Sequence, residues 1–225
     1  MNSPEPVLVR QGSETVKSSL KVEVFLDFVC PWCLIGARHL DTAASRLAEL
    51  RPDVQLQVVW CSYPLLPDTP VGGLPYQAFY VNRLGSPEAV AMRRAQVQQA
   101  GTAAGIRFAF DRIGVLPNTA ATHALLAQAA VHGTDAQQAR LIQRIFTAYF
   151  MEGEDIGNTS VLKRLALECG LDAGDAQAGI DPHVPARLRY PISGVPCFVL
   201  DESFALSGAA SPDALLDLML RALDA

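Results

Sequence analysis

The sequence predicts an α/β fold, one mixed sheet interrupted by a large all-helical insertion, and three observations carry that expectation. Strand, helix and strand patterns follow one another between Lys21 and Trp60. The β-branched runs then give way to alanine-rich helical patterns, and near the C-terminus a strand pair and a helix return. A βαβ unit crosses over right-handedly and leaves its strands in need of neighbours, so the ββα unit at the far end must complete the same sheet. The expected organisation is a leader over 1–20, a discontinuous domain from 21–63 and 186–225, and an inserted helical domain over 64–185.

The leader shows neither period 2 nor period 3.6, is rich in turn formers and is expected to be flexible. From Lys21 to Phe28 the residues Val22, Val24, Phe25 and Leu26 form a short β-prone apolar run, as expected of a buried strand. Beyond Cys33, small or apolar residues recur at Ala37, Leu40, Ala44 and Leu47 while Arg38, Asp41, Ser45 and Glu49 fall elsewhere, an amphipathic helix ended by Pro52. Val54, Leu56 and Val58 alternate with Gln55 and Gln57 to give a second strand. A loop crowded with Pro and Gly runs from Pro64 to Pro75, and helices are expected near 76–84, 87–104, 119–132, 135–151 and 159–169. Asn118 or Thr119 can cap the third of these, and Thr159 or Ser160 the fifth. After Pro182 and Pro185 the run Cys197 to Leu200, a turn at Asp201-Glu202-Ser203, and Phe204 to Leu206 read as a hairpin. Ser211-Pro212-Asp213 then opens a helix with one apolar stripe, from Leu215 to Leu223.

Composition narrows the function. The 225 residues are 50% hydrophobic, enough for a substantial core, and the formal net charge of −5 with no basic run excludes a phosphate-backbone partner, so no nucleic acid is expected. No segment has the apolar length of a signal-peptide core or a membrane span, which points to a cytoplasmic protein without a membrane partner. Five cysteines, of which only Cys30 and Cys33 are close in sequence, argue against a structural disulfide framework and for redox work.

The chemistry concentrates in Phe28-Val29-Cys30-Pro31-Trp32-Cys33-Leu34. Pro31 has its φ preset and lacks an amide that the first helical turn would leave unused, so it suits the first helical position. Cys30 then sits at the helix N-terminus, where unpaired amides and the positive end of the dipole favour a thiolate. It is the candidate nucleophile, and Cys33, one turn on, is the candidate resolving thiol for a mixed disulfide. Tetrahedral zinc is the competing use of a C-x-x-C pair, but no second such pair exists and the four histidines are scattered, so no metal is expected. Gly194-Val195-Pro196 precedes the returning strand, where the proline marks either a plain strand entry or a cis proline packed on the thiols with the Val195 backbone free to bind substrate. Cys61 and Cys169, at the ends of a strand and a helix, read as packing residues, and Cys197 as a small buried hydrophobe or alternatively as a third thiol near the site. His123 reads as a structural helix residue more readily than a substrate contact, and Arg93, Arg94, Arg140 and Arg144 as solvated helix faces. Trp32, between the thiols, is expected to be partly exposed.

Five segments together resemble the DsbA-like thioredoxin superfamily and, within it, the FrnE-like branch of oxidoreductases. They are Asp27 to Cys33 with Leu34-Ile35-Gly36; Pro117-Asn118-Thr119 with His123; Ala148-Tyr149-Phe150 with Glu152-Gly153 and Asp155-Ile156; Gly194-Val195-Pro196; and Leu206-Ser207-Gly208-Ala209. The resemblance covers about residues 21–221. It implies a thioredoxin-like fold with a helical insertion, dithiol–disulfide exchange through Cys30 and Cys33, and a cis proline at Pro196. It further implies a substrate, either a disulfide-containing protein or a small thiol, bound along Pro31, Trp32, Asn118, Val195 and Pro196, the last two pairing with an extended strand. No permanently bound cofactor is implied, though glutathione is a co-substrate in related proteins. The buried first-strand carboxylate usual in the superfamily is replaced by Val24, Glu23 points to the opposite face, and Asp27 is the remaining acid beside the turn. The rival within the superfamily is a glutathione-dependent isomerase of the 2-hydroxychromene-2-carboxylate isomerase or kappa-class transferase type, which needs no second thiol. The rival outside enzymes is a binding module in which the insertion grips a partner.

Overall fold

The computed structural model describes residues 19–171 and 190–225. Most of the expected leader, the segment holding Pro182, His183 and Pro185, and the boundary at 185–186 lie outside the described residues. The sheet is built around β1, Ser19–Leu26, whose run of Val22, Val24, Phe25 and Leu26 is almost wholly buried. β2, Gln55–Ser62, pairs with it in parallel, Val24 opposite Trp60. On the other side β5, Cys197–Leu200, pairs antiparallel with Phe198 opposite Val24, and β6, Phe204–Ser207, closes the order β2-β1-β5-β6. β1 stops at Leu26 rather than Phe28, because Asp27 turns the chain: its carbonyl accepts the Cys30 amide at 3.1 Å.

Helix α1, Pro31–Leu50, crosses from β1 to β2 and ends where Arg51, held out of helical conformation by Pro52, caps it with its amide on Leu47 O at 2.7 Å. The insertion supplies α2, Tyr76–Leu84; α3, Pro87–Ala103; α4, Ala120–His132; α5, Asp135–Thr147; and α6, Thr159–Glu168. The C-terminal α7, Pro212–Leu223, is capped by Ser211 Oγ on the Ala214 amide. The insertion is not purely helical: β3, Leu74–Pro75, pairs antiparallel with β4, Val115–Leu116. Two-residue strands are too short to leave an alternating pattern in the sequence. A 3₁₀ turn occupies Phe110–Arg112, and the expected fourth helix of the insertion gives way at Ala148 to a π turn, Ala148–Glu152. The α6 cap is Asn158, whose Oδ1 accepts the Ser160 and Val161 amides, rather than the expected Thr159 or Ser160.

Two cores result. One face of the sheet packs Val22, Val24, Phe198 and Leu200 against Leu40 and Leu47 of α1 and Leu215 and Met219 of α7. The second core fills the insertion with Leu125, Ile142, Phe146, Tyr149 and Phe150, and it takes in Phe28, Cys30, Cys33 and Leu34 from the strand-to-helix turn. The opposite sheet face carries Phe25, Cys197 and Val199, because residues of odd and even position point to opposite sides of a strand. The thiol turn therefore lies on the seam between sheet and insertion.

Candidate active site

The turn that presents the thiols is set by backbone bonds. Cys30 is the extended residue before α1, Pro31 is the first helical residue, and the Cys33 amide donates to Cys30 O at 3.0 Å. Both cysteines are free thiols; Cys30 is 5% exposed and Cys33 2%. Burial pushes the Cys33 thiol well above its ordinary value, and its hydrogen bond to Cys30, the Cys30 charge and the Asp27 charge add to the rise, with only a backbone bond near Asp27 opposing it. Cys33 is therefore the thiol that keeps its proton.

Val195–Pro196 is a cis peptide, and Cys30 Sγ donates to Val195 O at 3.6 Å. The opposite wall of the thiol pair is thus backbone from just before β5. Gly36 permits that approach: a Cβ there would lie 2.9 Å from Pro196 Cγ and 3.2 Å from Phe198 Cζ. Pro196 O in turn accepts the Gly208 amide at 2.8 Å, which fixes the wall to the end of the hairpin.

Beneath the turn sits a buried polar pair that the sequence did not single out as such. The Asp27 carboxylate is fully buried; its Oδ2 accepts the Leu65 amide at 2.7 Å and its Oδ1 meets His123 Nε2 at 3.2 Å. An ionised carboxylate can only accept, so Nε2 is the donor. His123, also fully buried, packs its ring on Phe28 at 5.3 Å. The reading of His123 as structural thus keeps its burial but gains a partner at the site. An acid next to the thiol motif with a histidine in the insertion was the available signal, though no periodicity links them.

A cavity of about 250 Å³ opens beside Cys30, lined by Trp32, Tyr76, Tyr80, Arg94 and Phe110 among others. Trp32 is half-buried, with the Arg93 guanidinium 5.9 Å above its ring. Arg94 is not a solvated residue as its helix position implied: its guanidinium lies over Tyr76 at 5.2 Å and Phe110 at 5.9 Å, two rings contributed by other elements. Asn118 lies away from this cavity, its amide donating to Thr69 O and accepting the Ala120 amide, so it ties the 64–75 loop to the start of α4. Cys197, 3% exposed, has Ser207 Oγ at 3.7 Å and packs on Phe25 and Val199, on the sheet face turned away from α1. Glu23, on that same face, meets Lys21 Nζ at 3.3 Å and accepts from Tyr190 OH at 2.7 Å. Among the described residues no group of three or more His, Cys, Asp or Glu is arranged to hold a metal ion, and no helix is long and apolar enough to cross a membrane.

The family model of the DSBA-like thioredoxin domain matches residues 21–220. A Streptomyces coelicolor structure described as a probable DsbA oxidoreductase is 25% identical, covers 91% of this chain and 90% of its own, and superposes with a TM-score of 0.76. The cytosolic disulfide reductase DsbM of Pseudomonas aeruginosa is 26% identical, with 89% and 98% covered and a TM-score of 0.59, and it has also been solved with GSH. A 2-hydroxychromene-2-carboxylate isomerase is 16% identical, with 89% and 95% covered and a TM-score of 0.60, a likeness of fold.

Proposed function

The chain belongs to the DSBA-like thioredoxin domain family, and from that premise we propose that it is a thiol–disulfide oxidoreductase with Cys30 as nucleophile and Cys33 as resolving thiol. The observation that carries the reading is the asymmetry of the two thiols. Both thiols are buried, but Cys30, at the N-terminus of α1, lines the cavity, whereas Cys33 does not line it and holds its proton. Cys30 thiolate attacks one sulfur of a substrate disulfide, a Cys30–substrate disulfide forms, and the other substrate sulfur leaves as a thiol. Cys33 then yields its proton and attacks Cys30 Sγ, forming the Cys30–Cys33 disulfide and releasing the second thiol. Asp27, the nearby buried carboxylate, takes over the role of proton acceptor left open by Val24, with His123 fixing its orientation. Val195, beside the cis proline, pairs with the substrate backbone as an added strand.

The resting form in a reducing cytoplasm is the dithiol, and glutathione, the ligand solved with DsbM, is the co-substrate that restores it. The reading is tested by mixed-disulfide turnover in wild type, Cys30→Ser and Cys33→Ser. Cys30→Ser is expected to be inert and Cys33→Ser to accumulate the mixed disulfide, seen by mass spectrometry. A glutathione-dependent isomerase is the second reading, favoured by the isomerase-like fold. An inert wild type in exchange, with isomerisation surviving Cys33→Ser, would establish it instead.

A further inference from the structure

The wall facing Cys30 carries a charge pattern that the exchange reaction itself does not require. Three guanidinium groups, from Arg83 at the end of α2 and from Arg93 and Arg94 in α3, line the cavity with Cys30, and no carboxylate lines it. This happens in a chain of formal net charge −5, so the wall is a local reversal of the protein's own sign. A cleft lined by one sign of charge concentrates ligands of the other and raises their on-rate.

Arg94 is the most constrained of the three. Its side chain is 22% exposed, Nη2 donates to Gln77 Oε1 at 2.7 Å, and the guanidinium is sandwiched against Tyr76 and Phe110. Its Nε is buried with no partner among the described residues. Among the described residues its one carboxylate partner is Asp111, 3.6 Å from Nη1 on a fully exposed side chain, and such surface pairs contribute about 0–1 kcal/mol and are readily exchanged. A planar guanidinium held by stacking is prepared to bind a carboxylate through two parallel N–H bonds. Arg93 sits over Trp32, one of the two residues between the cysteines, and Arg83 is exposed and carries no ion pair among the described residues.

We propose that this wall selects small, carboxylate-bearing disulfides, Arg94 binding the carboxylate while Cys30 attacks the sulfur. The inference rests on the oxidoreductase reading and names its substrate class. The cavity's about 250 Å³ fits a peptide of a few residues joined through its sulfur, not a folded protein surface. In the reaction the substrate disulfide accepts two electrons and leaves as two thiols, while the Cys30–Cys33 dithiol becomes the disulfide. A low-molecular-weight thiol reverses that second change for turnover.

The test is single-turnover oxidation of the reduced protein, followed by Trp32 fluorescence, with glutathione disulfide as the anionic probe, 2-hydroxyethyl disulfide as the neutral one and cystamine as the cationic one. Wild type should prefer glutathione disulfide to 2-hydroxyethyl disulfide by at least about tenfold, with cystamine slowest, and the preference should shrink as salt is raised above about 0.3 M. Arg94→Gln should reduce the ratio of the two rates about tenfold, and Arg94→Lys should keep part of it. Should Arg94→Gln not fold, Arg83→Gln and the salt dependence of wild type carry the same comparison. Equal rates with all three probes, or a ratio unchanged by the Arg94 and Arg83 substitutions, would overturn the substrate class while leaving exchange intact. An acidic disulfide-bonded peptide that reacts faster than glutathione disulfide, with the same dependence on Arg94, would overturn the restriction to small molecules. Failure of every probe to form the Cys30–Cys33 disulfide would instead sink the oxidoreductase reading.

Discussion

Replacing Asp27 by alanine probes the joint between the thiol turn and the insertion. The side chain is fully buried and serves two elements at once, its Oδ2 accepting the Leu65 amide at 2.7 Å and its Oδ1 the His123 Nε2 proton at 3.2 Å. Alanine removes the charge and with it the desolvation of that charge, but it strands two donors, one on the fully buried His123 and one on the partly buried Leu65 backbone. Each buried unsatisfied donor costs about 1–3 kcal/mol, so the expected loss is about 2–6 kcal/mol. That is a large part of a typical stability of about 5–15 kcal/mol. The assay is urea unfolding of the reduced protein for wild type, Asp27→Ala, His123→Ala and the double variant. Because both residues share one bond, the double variant should lose less than the sum of the singles by more than about 0.5 kcal/mol. A loss below about 1 kcal/mol in Asp27→Ala, or strict additivity, would show that the pair does not hold the turn against α4.

Three further outcomes follow from the same geometry. Gly36→Ala places a methyl 2.9 Å from the Pro196 ring, so it should cost about 1–3 kcal/mol and slow exchange by moving Val195 O from Cys30; an unchanged unfolding midpoint and rate would contradict the close approach. Cys33 keeps its proton when folded but loses it when unfolded above an ordinary thiol pKa of about 8.5, so its contribution is fully present below that pH and lost as pH rises beyond it. Stability of the dithiol form should therefore fall as pH rises above about 8.5 more steeply than that of the disulfide form, which lacks this thiol, and parallel curves in urea unfolding would refute it. Cys197→Ala, on the far sheet face, should lower stability by about 0.5–3 kcal/mol with exchange rates unchanged within about twofold, and a larger loss of rate would restore it as a third active-site thiol.

How much of this was legible depended on whether a signal is local. The β1 run, the placement of Pro31 and Cys30 at the start of α1 and the Ser211-Pro212 opening of α7 are all written within a few residues, and the structure has them where the pattern puts them. Gly194-Val195-Pro196 left a choice that local sequence physics could not make, because a cis bond depends on what packs against it, here Gly36 and the Gly208 amide. Asp27 and His123 are 96 positions apart, and no hydrophobic period records which helix face of an insertion meets which turn. Arg94 was misread for a related reason. α3 is polar on most of its surface, so its arginines look solvated until Tyr76 and Phe110, from α2 and the 3₁₀ turn, are brought under one of them.

The insertion therefore does more than roof the site: it gives the two thiols different surroundings. From α4 it contributes His123, bonded to Asp27, to the sealed side, where burial and the neighbouring Cys30 keep the Cys33 proton in place. From α2 and α3 it contributes Arg83, Arg93 and Arg94 to the cavity that Cys30 also lines. A sheet-and-helix scaffold alone could present both cysteines at a helix N-terminus, but it could not make one of them sealed and the other flanked by cations. Exchange needs the first thiol to meet substrate and the second to wait, and waiting is what a buried, protonated Cys33 does. Changes to the α3 wall should consequently alter which disulfide is attacked, and changes to Asp27 or His123 should alter how quickly the mixed disulfide is resolved. The two effects are separable in one experiment, since accumulation of the mixed disulfide reports resolution and the dependence of its formation on substrate charge reports selection.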